Sequence, residues 1–138
     1  STMTAVVGQR ICRRVCTECK ESYVPPSAVL EDIKTVLGKL MPPSQGQPAS
    51  QRGEQGLKIY RGRGCPACNN TGYLGRIGIF EVLPVSEKIA RLILERSDAR
   101  SVENQAIAEG MVAMKHDGYL KALEGITTIE EVLRVAQE

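Results

Sequence analysis

The chain has 138 residues, 42% of them hydrophobic, which is enough for one ordinary core or for two small units that share one. With no Trp and a single Phe the core must be aliphatic, and there is no aromatic surface on which nucleic-acid bases would stack. The net charge of +2 divides unevenly, with 11 Lys+Arg against 5 Asp+Glu over residues 1–76 and 7 against 11 over 77–138, and no run approaches the roughly 20 apolar residues that a membrane helix needs.

In chain order, residues 1–15 read as the end of a helix, because Ala5, Val6, Gln9, Ile11, Cys12 and Val15 fall near helical spacing while Arg10, Arg13 and Arg14 lie elsewhere on the wheel. A Cys16-Thr-Glu-Cys19 knuckle follows directly. Pro25-Pro26-Ser27 then breaks the chain and opens a helix over about residues 28–40, carrying Val29, Leu30, Ile33, Val36, Leu37 and Leu40 and stopped by Pro42 and Pro43. Residues 42–56 hold almost no apolar side chain and are rich in Pro, Gly, Ser and Gln, the composition of a flexible insert. Residues 57–60 alternate like a short strand and lead into Gly62-Arg-Gly-Cys65-Pro-Ala-Cys68. Residues 73–85 are β-branched and aliphatic, with Gly75 and Gly78, and read as a strand pair or bent strand beside the second knuckle. From Ser86 onward the signals are helical. Ser86 caps a helix to Leu94, a second runs over about residues 99–109 to Gly110, and a third over about 111–123 to Gly125. Thr128-x-x-Glu131 is a capping box that opens the last, ending near Ala136.

The chemistry sits in the two Cys-x-x-Cys pairs. A two-residue gap lets both sulfurs of a pair point inward from one tight turn, so Cys16, Cys19, Cys65 and Cys68 together specify one tetrahedral site, the donor set of a structural Zn2+. No apolar signal segment with a cleavage site opens the sequence, so reduced thiols are expected over disulfides within the knuckles. The fifth, Cys12, lies one turn before Cys16 on the expected helix and reads as a small buried hydrophobe, since a closed site already has four ligands. The glycines flanking Cys65 are expected to turn the backbone so that amides point at the sulfurs. Gly62-x-Gly64-x-x-Ala67 formally fits a loose dinucleotide fingerprint, but that motif must open a helix, and Cys65, Pro66 and Cys68 occupy its turn. No G-x-x-x-x-G-K-[ST] phosphate loop is present, so no ATP hydrolysis is expected of these residues. His116, the lone histidine, has no partner suited to catalysis nearby in sequence and reads as a surface or helix-end side chain. The clusters Arg10, Arg13, Arg14 and Arg61, Arg63, Arg76 would suit an acidic partner, such as nucleic acid, anionic lipid or the acidic half of another copy, or simply a solvated surface.

Three segments carry a likeness. They are Gln9-Arg-Ile-Cys-Arg-Arg-Val-Cys-Thr-Glu-Cys19, then Gly64-Cys-Pro-Ala-Cys-Asn-Asn-Thr-Gly-Tyr-Leu-Gly-Arg-Ile-Gly-Ile-Phe-Glu81, and Gly110-Met with Asp117-Gly-Tyr-Leu-Lys-Ala-Leu-Glu-Gly-Ile-Thr-Thr-Ile-Glu-Glu-Val-Leu-Arg134. In that order the chain resembles the C-terminal region of the type II secretion and type IV pilus assembly ATPases, over most of its length except 25–56. The resemblance implies an ATPase core upstream, with its ATP and Mg2+ sites, running into residues 1–15. It implies that Cys16, Cys19, Cys65 and Cys68 are a tetracysteine zinc site and that the helices from Ser86 pack between neighbouring subunits of a hexamer. It also implies a cytoplasmic location at the periphery of the inner membrane, reached through partners that include a membrane platform protein, without membrane insertion. Two departures are Cys12, where the family suggests an aliphatic residue, and the long Gln-rich stretch between the knuckles.

The expected fold is therefore α+β: residues 1–15 as the end of a helix from an upstream core, 16–85 as a tetracysteine zinc-binding subdomain with short strands and the insert 42–56, and 86–138 as a helical subdomain. The alternative is a free-standing zinc ribbon that binds nucleic acid through its basic half, against which only Tyr60 and Tyr73 interleave the basic residues.

Overall fold

Two β-branched segments far apart in sequence pair into the ribbon on which the rest of the chain is built. In this computed structural model, residues 2–41 and 57–136 are described. The insert expected at 42–56 lies outside them. Strand β1 (Ala5–Val15) runs antiparallel to β4 (Tyr73–Pro84), from Ala5 opposite Pro84 to Val15 opposite Tyr73. A second, smaller sheet pairs β2 (Lys20–Tyr23) with β3 (Ile59–Gly62), Lys20 opposite Gly62. The helices are α1 (Ser27–Leu37), α2 (Glu87–Leu94), α3 (Ala99–Ala108), α4 (Met114–Leu123) and α5 (Ile129–Ala136). The α+β class is as expected.

The helix expected over residues 1–15 is a strand. Its inward residues explain both readings. Gly8 is partly covered and Cys12 and Val15 are buried, a spacing of four and then three that matches one face of a helix. In the strand, Gly8 and Cys12 share a face because their separation is even, and an irregularity in the register between Arg13 and Val15 then returns Val15 to the inside. Val6, Val7, Ile11 and Val15 are β-branched, and pairing with the β-branched β4 decides the conformation.

The later signals are met closely. Ser86 Oγ accepts from the Ile89 N–H at 3.2 Å as the N-cap of α2, and Asp98 Oδ1 accepts from the Ser101 N–H at 2.8 Å ahead of α3. Gly110 and Gly125 take positive φ where α3 and α4 end. One core draws on almost every element: Cys12 from β1, Ile33 and Leu37 from α1, Ile59 from β3, Ile79 from β4, Tyr119 and Ala122 from α4, and Ile129 and Val132 from α5. Burying each of the larger aliphatic side chains is worth about 1.5–3 kcal/mol. The helices α2 and α3 pack chiefly on each other, and their buried Ile89 and Ala106 stand outside that cluster.

Candidate metal centre

The knuckles close on each other at the foot of the β1–β4 ribbon. Cys16 and Cys19 follow β1, and Cys65 and Cys68 precede β4 on a 3-10 turn over Pro66–Cys68. The Cys16 N–H donates to the Gly72 carbonyl at 2.9 Å, and the Arg63 N–H to the Cys19 carbonyl at 3.2 Å, so each knuckle is laced to the other through the backbone. The approach is tight: a Cβ on Gly62 would run into the Gly72 carbonyl, and one on Gly72 into Gly62. After Cys68 the chain reverses through Asn69 (φ 52°), Asn70 (φ 60°) and Gly72 (φ 79°). Asn and Gly tolerate that left-handed backbone better than other residues.

All four sulfurs lie within 4.8 Å of one another. Cys16 Sγ is 3.7 Å from Cys65 Sγ, Cys65 Sγ is 3.7 Å from Cys68 Sγ, and Cys19 Sγ is 3.9 Å from Cys68 Sγ. A tetrahedron with metal–sulfur bonds of about 2.3 Å has sulfur–sulfur edges of about 3.8 Å. The sulfurs are therefore too far apart for disulfides and correctly spaced to share an ion, and all five cysteines are free thiols. The foreseen amide donors are present. Gly64 donates to Cys19 Sγ, while Cys65 and Gly72 both donate to Cys68 Sγ, each at 3.3 Å. Burial raises the Cys68 thiol, but the Cys65 and Gly72 amides and the neighbouring thiols outweigh it and bring the group down to about 6. Burial pushes Cys19 up to about 11, and the Gly64 amide only partly offsets it. A divalent ion would hold all four as thiolates by displacing the remaining protons.

Cys12 takes no part. It is fully buried in the core, where burial first and then the Glu131 charge push its thiol up, as suits an inert hydrophobe. Arg61 and Arg63 both turn to Glu21, at 2.8 and 3.5 Å, and Arg61 also lies over the Tyr23 ring. Arg76 stands opposite Arg13 in the ribbon. Arg13 itself leaves the expected basic cluster. Its guanidinium stacks on the Tyr73 ring at 4.1 Å and pairs with Glu131, Nη2 to Oε1 at 2.6 Å. His116 sits on α4 with Nδ1 buried and unpaired among the described residues.

A latch beside the first knuckle is not legible in the sequence. The register irregularity before Cys16 leaves backbone groups without strand partners, and the turn into α5 supplies them. The Arg13 N–H donates to Glu131 Oε2 at 2.9 Å, Thr127 Oγ1 donates to the Arg13 carbonyl at 2.8 Å, and the Val15 N–H donates to the Ile126 carbonyl at 3.0 Å. Only half of the capping box forms, because the Glu131 N–H reaches Thr128 Oγ1 at 3.2 Å while the Glu131 carboxylate is taken by Arg13 and Arg134.

The family profile described as type II/IV secretion system protein matches residues 1–134. The chain belongs to that family. Among relatives in it, the type IV pilus assembly ATPase PilB of Thermus thermophilus is 35% identical over 96% of this chain and 13% of its own length. PilB of Pseudomonas aeruginosa is 32% identical over 100% of this chain and 22% of its own. The type II secretion system ATPase E of Vibrio cholerae is 33% identical over 100% of this chain and 24% of its own. This member of the type II/IV secretion family thus spans a quarter or less of the length of those relatives, and its four clustered cysteines lie inside the matched region.

Proposed function

We propose that this chain is the non-catalytic, zinc-binding and subunit-packing module of a hexameric secretion or pilus assembly ATPase. The observation that carries the reading is the four-sulfur cluster with its amide donors, set in a chain that belongs to the type II/IV secretion family. Cys16, Cys19, Cys65 and Cys68 hold Zn2+, and the bound ion supplies a cross-link with no open coordination position for substrate. Its place supports a structural role, because it joins the end of β1 to the start of β4 and closes the loop of residues 20–64, which contains α1, β2 and β3. Closing so long a loop removes much of the unfolded chain's freedom. The residues from Ser86 on pack against neighbouring subunits, and an upstream core binds ATP and Mg2+. The assembly works in the cytoplasm against an inner-membrane platform protein. No helix among the described residues is long and apolar enough to cross a membrane.

The experiment is metal analysis joined to stability. One zinc per chain is expected, lost in Cys65→Ser. Because a structural zinc contributes on the order of 10 kcal/mol of folding free energy, that variant or a chelated sample should lose its cooperative melting transition. An unchanged melting curve after verified removal of the metal overturns the structural role. The chain alone should turn over no ATP, and hydrolysis that scales with protein concentration through purification would refute the non-catalytic assignment.

A further inference from the structure

Antiparallel pairing fixes where the backbone of β4 points. Phe80 stands opposite Gln9, yet its N–H donates away from β1, to Asp117 Oδ2 on α4 at 2.8 Å. Phe80 and Gln9 are therefore a pair without mutual hydrogen bonds, and the alternation of such ladders makes Val82 opposite Val7 another. Phe80 and Val82 both turn their N–H and C=O to the outer edge of the ribbon. The helix α4 covers the first part of this edge, since Lys121 Nζ donates to the Gly78 carbonyl at 2.8 Å just as Asp117 takes the Phe80 N–H. There the cover stops. The Phe80 carbonyl and both backbone groups of Val82 have no partner among the described residues, and Val82 is 49% exposed. Pro84, lacking an N–H, ends the edge.

A cavity of about 520 Å³ opens along this uncovered stretch. Its apolar wall is Val82 and Pro84 on one side and Ala106, Met111 and Val112 on the other. Glu109 lies on its rim, accepting from Ser86 Oγ at 2.9 Å and Gln105 Nε2 at 3.1 Å, with no cationic partner among the described residues. Asp117 and Lys121 neutralise each other at 2.8 Å, so Glu109 sets the charge of the groove. Unpaired strand groups call for an extended backbone, the apolar wall for an aliphatic side chain, and the carboxylate for a basic neighbour.

We propose that the outer edge of β4 at Val82 is a docking site for a short extended peptide segment, which adds as a strand, places an aliphatic side chain between β4 and the α3–α4 turn, and sets a Lys or Arg against Glu109. The site lies on the opposite end of β4 from the knuckles and does not depend on the metal reading.

The probe is a capped, fluorescein-labelled pentapeptide Lys-Val-Leu-Val-Lys, titrated into the intact chain by anisotropy and by amide NMR. Saturable binding is expected, with the Val82 amide shifted and its hydrogen exchange slowed. Two analogues test the ladder, one N-methylated at the leucine and one at both valines. One of the two should bind about tenfold more weakly, as befits a main-chain hydrogen bond lost with its partner left unpaired, while the other binds like the parent. Glu109→Gln should weaken binding about threefold and remove most of its salt dependence. The proposal is overturned if no saturable binding occurs up to millimolar peptide, if both methylated analogues bind like the parent, or if the Val82 amide is unmoved at saturation.

Discussion

Glu131 is 2% exposed, and its carboxylate receives the Arg13 backbone N–H together with the guanidinium groups of Arg13 and Arg134. Burial alone would raise its pKa, but the hydrogen bonds from Arg134 and Arg13 outweigh that and hold it at about 2, against 4.5 for an ordinary glutamate. As acid is added, the unfolded chain takes up this proton before the folded chain does. The stabilisation is therefore complete above about pH 4.5 and drains away as the pH falls toward 2. The full shift would correspond to roughly 3 kcal/mol at 1.36 kcal/mol per pKa unit, and the half-exposed arginines reduce it to on the order of 2. Glu131→Gln should lower stability by about that amount near neutral pH and flatten the dependence between about pH 4.5 and pH 2, as read by urea denaturation across that range. The sequence marks Glu131 as a capping partner from its spacing to Thr128. Its charge pairing with Arg13, 118 residues away, depends on a strand register that no local pattern announces.

The crossing of α4 and α5 turns on Gly118. A Cβ built there would lie 2.5 Å from Val132 Cγ1 and 2.9 Å from Cγ2, closer than side chains pack. Gly118→Ala gains about 1 kcal/mol of helix propensity but overpacks a buried contact, which costs about 1–3 kcal/mol, so the net effect is a lower melting temperature. Val132→Ala in the same chain should recover part of the loss, a coupling that a double-mutant cycle measures. Element by element, the helices after Ser86 are readable because caps and glycine stops are local chemistry. Residues 1–15 mislead because an irregular strand imitates helical spacing in its buried positions, and only its partner, 58 (Val15 to Tyr73) to 79 (Ala5 to Pro84) residues later, distinguishes the two.

Across the whole molecule, stability is unevenly shared. The core joins β1, β3, β4, α1, α4 and α5, while α2 and α3 hold mainly to each other. Native-state hydrogen exchange should find the α2–α3 amides opening first, with protection well below that of β1 and β4. Protection of α2–α3 equal to that of the ribbon would contradict this division. Of the candidate site, the four sulfurs and the glycine amides are legible because their spacing is a property of tight turns. The latch of Thr127, Ile126 and Glu131 onto β1 is not, because it belongs to the way the two ends of the described chain meet.

That meeting has a consequence for the order of synthesis. Strand β1 leaves the ribosome well before its partner β4, and the groups that satisfy the Arg13–Val15 backbone come later still, the last of them at Glu131. Local hydrogen bonds cannot hold β1 in the meantime, and long-range pairings form slowly because the intervening loop must first be closed. Capture of an ion by the two knuckles would tie β1 to the start of β4 as soon as Cys68 emerges, before α4 and α5 exist. On this account early metal capture shortens the time β1 waits unpaired, with Cys12 and Val15 uncovered, on the nascent chain.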